Sequence, residues 1–151
     1  MKELNQLLVF TIDKHEYALP YSVIDRVVQA VEITPLPNAT ENIMGIINVH
    51  GFVIPVINLR KKMGVSDKEL ELSDKFIIIR IREHSVGLIA DKIHGMIEIK
   101  ENQLVLIKNI VPSSKLFSGT LKLENNLLLI YDADEFLSAK EKTNLQKILK
   151  K

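Results

Sequence analysis

Gly45-Ile46-Ile47-Asn48-Val49-His50-Gly51-Phe52-Val53-Ile54-Pro55-Val56-Ile57-Asn58-Leu59-Arg60 is the stretch on which the fold turns. Residues 46–50 and 52–59 are β-branched runs meeting near Gly51, which predicts two strands around a turn. Neither run alternates apolar with polar residues, so both strand faces are expected to be buried. Pro55 has no N–H to donate, which predicts an edge strand or a bulge at that position. Residues 42–59 contain no Asp, Glu, Lys or Arg, a span nearly long enough to cross a bilayer. Asn42, Asn48, His50 and Asn58, with Gly45, Gly51 and Pro55, would be costly in lipid. The stretch therefore reads as buried strands of a soluble chain, without direct membrane insertion.

Strand signals continue on both sides. Residues 7–12 and 17–19 are apolar runs separated by Asp13-Lys14-His15-Glu16, the pattern of a hairpin. Pro20 suits a first helical turn. Val23, Ile24, Val27, Val28 and Val31 follow the spacing of one helical face, which predicts a short amphipathic helix near 20–30. Pro35 and Pro37 then force an extended segment. After the 45–60 stretch, Arg60-Lys61-Lys62-Met63-Gly64 reads as a helical turn stopped by glycine. Residues 66–74 are polar and form a loop. Strands are expected over 75–82, 86–91, 96–99 and 104–107, and a hairpin over 115–132 about Asn125-Asn126. Asp132 or Asp134 is positioned to cap a C-terminal helix. Nine or ten short, doubly buried strands with two helices point to small barrels. A lone thin barrel cannot bury both faces of its strands; two packed side by side can.

Composition narrows the function. Of the 151 residues, 46% are hydrophobic and only 5% aromatic, with no Trp and no Cys. The 20 Lys and Arg nearly balance the 19 Asp and Glu, leaving a formal charge of +1. There is no basic field to gather nucleic acid and little aromatic surface for stacking bases. Without Cys there are no disulfides, thiolate zinc sites or thiol nucleophiles. The mixed N-terminus, Met1-Lys2-Glu3-Leu4-Asn5-Gln6, lacks the features of a signal peptide. His15 and His84 fall in charged turns. Asp91-x-x-His94 offers two metal ligands where coordination needs three or four. Ser113-Ser114 lacks a nucleophile-elbow frame, and the glycines are scattered singly. Asp132, Asp134 and Glu135 read as capping and dipole partners. No catalytic residues, cofactor or metal site are expected.

The 45–60 stretch resembles the core motif of the CheW family of chemotaxis adaptors: Gly-apolar-apolar-Asn-apolar-Arg-Gly, an apolar strand with Pro, then Asp or Asn followed by Leu. Thr34-Pro35-Leu36-Pro37-Asn38-Ala39 resembles the family's approach to that motif. Residues 8–19 are similar to its first hairpin. Val86-Gly87-Leu88-Ile89-Ala90-Asp91 is similar to its Val-Gly-apolar-apolar-Val-Asp strand, and residues 119–137 to its closing hairpin and helix. The likeness is collinear over nearly the whole chain. It implies a mainly β fold, a single CheW-like domain over 1–151 made of two intertwined subdomains. These are two SH3-like five-stranded β-barrels around a shared hydrophobic core, with the short helix near 20–30 and a C-terminal helix. It further implies a non-catalytic cytoplasmic scaffold, recruited to membrane-associated receptor arrays. Its implied partners are the regulatory domain of a CheA-type histidine kinase and the cytoplasmic tip of a methyl-accepting chemotaxis receptor. An adaptor of a parallel pathway for pilus motility or development is the alternative. A small-ligand- or nucleic-acid-binding SH3-like barrel is a remoter one.

Two positions depart from the family pattern. The family usually carries Arg where this chain has His50, and usually Glu where it has Arg26. Both belong to the family's interaction surface; if they face each other, an Arg–carboxylate pairing has been replaced, and losing a bidentate fork is not a conservative change. Arg26 and His50 are therefore candidates for setting partner choice. Against that, an exposed ion pair contributes only about 0–1 kcal/mol. The candidate groove residues are Ile24, Val27 and Val28 on the expected helix, with Ile46, Val49 and Val86 nearby, suited to a docked receptor helix. Gly45 and Gly51 are expected to serve the backbone.

Overall fold

A computed structural model describes residues 6–37, 42–99, 104–105, 117–122 and 127–136. Among these residues the strands are β1 (Gln6–Ile12), β2 (His15–Pro20), β3 (Ile24–Gln29), β4 (Ile43–Val49), β5 (Phe52–Ile57), β6 (Lys75–Ile81), β7 (His84–Ala90), β8 (Lys92–Glu98), β9 (Leu104–Val105), β10 (Phe117–Lys122) and β11 (Leu127–Tyr131). A short helix α1 (Leu59–Met63) follows β5. One sheet runs β8-β1-β2-β11-β10-β9 and the other β3-β6-β7-β5-β4. The molecule is thus two small SH3-like β-barrels. The second has the five strands expected; the two-residue β9 brings the first sheet to six.

The apolar runs are explained by two destinations for each strand's side chains. Leu8, Phe10 and Ile12 of β1 face a core shared by both barrels, whereas Leu7 and Val9 face the core of the first barrel alone. In β6, Ile77, Ile79 and Ile81 join the shared core, and Phe76 and Ile78 fill the second barrel. β7 contributes Val86, Leu88 and Ala90 to the shared core. A strand lodged between two cores has no face for polar residues, so period-two alternation disappears. Each fully buried aliphatic side chain contributes about 1.5–3 kcal/mol. Three of the few aromatics meet at this seam: Phe10 and Tyr131 stack with centroids 6.2 Å apart, and Tyr17 lies 5.3 Å from Tyr131. Burial, with a smaller contribution from Tyr17, raises the Tyr131 hydroxyl far above its ordinary pKa.

Among the described residues the chain passes between barrels twice. After β2 it enters the second barrel at Tyr21–Val23, a single 3₁₀ turn, and it returns to the first at Asp91, between β7 and β8. The amphipathic helix expected near 20–30 is therefore not formed. Only the 3₁₀ turn is helical, and residues 24–29 are β3, paired antiparallel to β6. The helical spacing has a physical origin. The β3–β6 register shifts between Ile24 and Arg26, a bulge that resets which face each residue takes. Ile24 then packs on the shared core and Val28 on the core of the second barrel.

Pro55 is also placed differently from expectation. β5 lies between β4 and β7 rather than at an edge. Its pairing with β7 begins only at Val56, so the missing N–H leaves no ladder bond unmade on that side. The strand expected over 96–99 is longer, starting at Lys92. α1 confirms the helical turn: Asn58 Oδ1 accepts the Lys61 N–H at 3.0 Å, and Gly64 ends it at φ 75°. In the loop that follows, Asp74 is 2% exposed and accepts Lys68 Nζ at 2.9 Å and the Glu71 N–H at 2.8 Å. Burial lowers the Lys68 pKa, but its bonds to Asp74 and Glu71 outweigh that and carry it above the usual value. Ala133–Phe136 is a 3₁₀ turn; the expected C-terminal helix and the Asn125-Asn126 turn lie outside the described residues.

Candidate functional site

The motif of residues 45–51 builds one end of the second barrel. Val49 pairs with Phe52, leaving His50 and Gly51 as a two-residue hairpin loop. Both have positive φ, 51° and 88°, as a type I′ turn requires. Histidine is among the residues that tolerate this region. Asn48 Oδ1 accepts the Gly51 N–H at 2.8 Å and clamps the turn. The motif asparagine thus holds the loop that projects His50 into solvent.

Gly45 works at the other side of β4. Thr34 and Ile46 exchange both backbone hydrogen bonds at 2.8 Å, closing the segment after β3 onto β4. A Cβ on Gly45 would lie 2.2 Å from the Thr34 carbonyl oxygen. Only glycine lets the backbones approach this closely. Gly45 is a closure residue rather than a surface one.

The candidate residues divide into three groups. Arg26, Val27 and His50 are exposed. Ile24, Val28 and Ile46 are half-buried. Val49 and Val86 are buried: Val86, at 0% exposure, lies in the shared core, and Val49 in the core of the second barrel, at the floor of a cleft. Arg26 lies 3.6 Å from the neighbouring Asp25 carboxylate, both side chains well exposed.

The structure adds residues that sequence reasoning passed over. A cleft of about 280 Å³ beside the turn is lined by Asp25, Arg26, Val49, Phe52, Val53, Ile54, Arg80 and Ser85. Phe52 is 69% exposed and Val53 52%. They belong to a run that read as uniformly buried, but burial in β5 begins only at Ile54, and composition does not reveal where along a strand it starts. Arg80 on β6 stands opposite Ser85. Two guanidiniums, one carboxylate and an exposed phenyl ring form a surface suited to an apolar side chain flanked by a carboxylate.

No catalytic constellation assembles among the described residues. Asp91 and His94 are not brought onto a common centre. Asp91 is engaged with Arg60, and His94 approaches Thr11 Oγ1 and lies 3.6 Å from Glu16. No group of three or more His, Cys, Asp or Glu side chains is placed to hold a metal among the described residues.

Comparison with known proteins agrees with this geometry. A family model described as the CheW-like domain matches residues 6–141. The chain is 32% identical over 132 residues to a chemotaxis protein CheW of Thermotoga maritima, covering 87% of each. It is 30% identical over 139 residues to the Bacillus subtilis chemotaxis protein CheW, covering 91% of this chain and 89% of that one. The crystal structure of the scaffolding protein TtCheW from Thermoanaerobacter tengcongensis superposes with a TM-score of 0.81 at 28% identity, covering 91% of this chain and 94% of that one.

Proposed function

The chain belongs to the CheW-like domain family and is a chemotaxis scaffold; from that premise we propose that it bridges two proteins without catalysing a reaction. One partner is the regulatory domain of a CheA-type histidine kinase, the other the cytoplasmic tip of a methyl-accepting receptor. It would act in the cytoplasm, recruited to receptor arrays. No helix among the described residues is long and apolar enough to cross a membrane.

The observation that carries the reading is the exposed end of the second barrel. Phe52 and Val53 are exposed there beside a cleft bordered by Arg26 and Arg80. Exposed aromatic surface rimmed by arginine is the composition of a binding hot spot. Arg26 and His50 replace the family's Glu and Arg, so this chain's surface favours a partner segment bearing a carboxylate. Co-purification of the protein with its cognate kinase regulatory domain and receptor tip tests the role. A ternary complex with raised kinase autophosphorylation is expected, and binding to neither partner would sink it. The double variant Arg26→Glu/His50→Arg is expected to shift affinity for at least one partner about tenfold, a change of about 1.4 kcal/mol. Unchanged affinity for both removes these two residues from partner choice.

A further inference from the structure

The two barrels meet through apolar side chains, and apolar contact is non-directional. It holds the barrels together but does not by itself fix the angle between them. Directional bonds between the barrels do, and among the described residues several of them meet at one residue at the returning crossover.

Asp91 lies where the chain leaves β7 for β8. Its backbone N–H donates to the Thr11 carbonyl of β1 at 2.9 Å. Its Oδ2 accepts the Asp13 N–H, in the β1–β2 turn of the first barrel, at 2.9 Å. The same oxygen accepts Arg60 Nη2, from α1 of the second barrel, at 2.7 Å. Both side chains are largely sheltered, 14% exposed for Arg60 and 23% for Asp91. Arg60 Nη1 donates to the Ser66 carbonyl at 2.8 Å, so its planar fork ties the loop after α1 to Asp91. The Asp91 Oδ1 is buried and makes no hydrogen bond among the described residues. One carboxylate oxygen is thus the junction between a turn of one barrel and a helix of the other.

We propose that Asp91 and Arg60 are positioning residues that lock the relative orientation of the two barrels. Charge-assisted bonds of this length are strongly directional, and sheltered ionic groups serve to select one arrangement among several of similar apolar contact. Broken, the junction leaves the shared core intact and lets the barrels rock on it. The consequence for docking rests on the bridging role proposed above: a scaffold that holds two partners at once needs a fixed angle between its halves.

The absence of Cys makes the test clean, because two introduced cysteines are the only labelling sites. Nitroxides at Glu83→Cys, in the β6–β7 turn, and Leu127→Cys, at the start of β11, report the inter-barrel distance by pulsed spin resonance. Asp91→Asn and Arg60→Ala are each expected to broaden the distance distribution about twofold or shift its mean. Lys68→Ala breaks an ion pair within the second barrel and is expected to leave the distribution unchanged. An unchanged distribution in both junction variants overturns the proposal, as does equal broadening in Lys68→Ala. If Arg60→Ala fails to fold, Asp91→Asn, which keeps the side-chain shape, decides alone. No partner is needed, so this result is independent of whether the bridging role is correct.

Discussion

A methyl group added to Gly45 meets the Thr34 carbonyl oxygen at 2.2 Å, and that carbonyl is itself one half of the bond pair closing the second barrel. Neither partner can retreat without breaking the closure. Gly45→Ala is expected to cost about 3 kcal/mol, read as a shifted urea midpoint at unchanged slope. His50 presents the opposite case. Its positive φ is a condition on residue type rather than on size. His50→Asn is expected to leave stability within about 0.5 kcal/mol of the parent, whereas His50→Val costs about 1–2 kcal/mol. His50→Asn is therefore the appropriate probe of binding. Asp132 supplies a pH test. Burial raises its carboxyl above the ordinary value; the Asp134 N–H it accepts opposes this, and the charges of Asp134 and Glu135 add to the rise. The folded chain thus holds this proton more tightly than the unfolded chain. That contribution is complete below pH 3.8 and is lost as pH rises through the folded pKa. Asp132→Asn, which keeps the acceptor for Asp134, is expected to match the parent at low pH and exceed it at neutral pH in thermal melts.

β3 is the element where sequence and structure part. Its valines fit a helical stripe, yet the backbone is extended and bulged. The two states predict opposite signs for Val27→Ala. Alanine improves a helix, whereas in a strand the loss of a β-branched side chain destabilises, here by about 0.5 kcal/mol. A stabilised variant in equilibrium unfolding would contradict the strand. What was legible in the sequence were the features set by local chemistry: the β1–β2 hairpin, the His50-Gly51 turn and the glycine stop of α1. Features set by neighbours distant in the chain were not. Nothing around Pro55 announces that the β5–β7 pairing starts one residue later, and nothing in the sequence around Arg60 names Asp91 as its partner. The candidate surface was half legible. Arg26 and His50 could be picked out from the motif resemblance, whereas Phe52 and Val53 are camouflaged by the buried run they begin.

For the whole molecule, the shared core predicts joint unfolding. Ile79 is fully buried in that core and belongs to the second barrel. Ile79→Ala is expected to cost about 3 kcal/mol and to lower the unfolding midpoints of both barrels together. Amide exchange resolved along β1 and β6 measures this, and separate shifts would show that the barrels unfold independently.

The two crossings have a further consequence during synthesis. β3 through β7 form one continuous segment, so the second barrel has all its described strands once Ala90 has left the ribosome. The first barrel cannot, because β2 pairs in parallel with β11, Tyr17 opposite Leu129. The β1–β2 hairpin emerges before the second barrel and is therefore completed only after it. Until then one edge of β2 stays open to neighbouring nascent chains. Asp13, Lys14 and Glu16 at the hairpin's exposed tip give that waiting ribbon a charged, well-hydrated end.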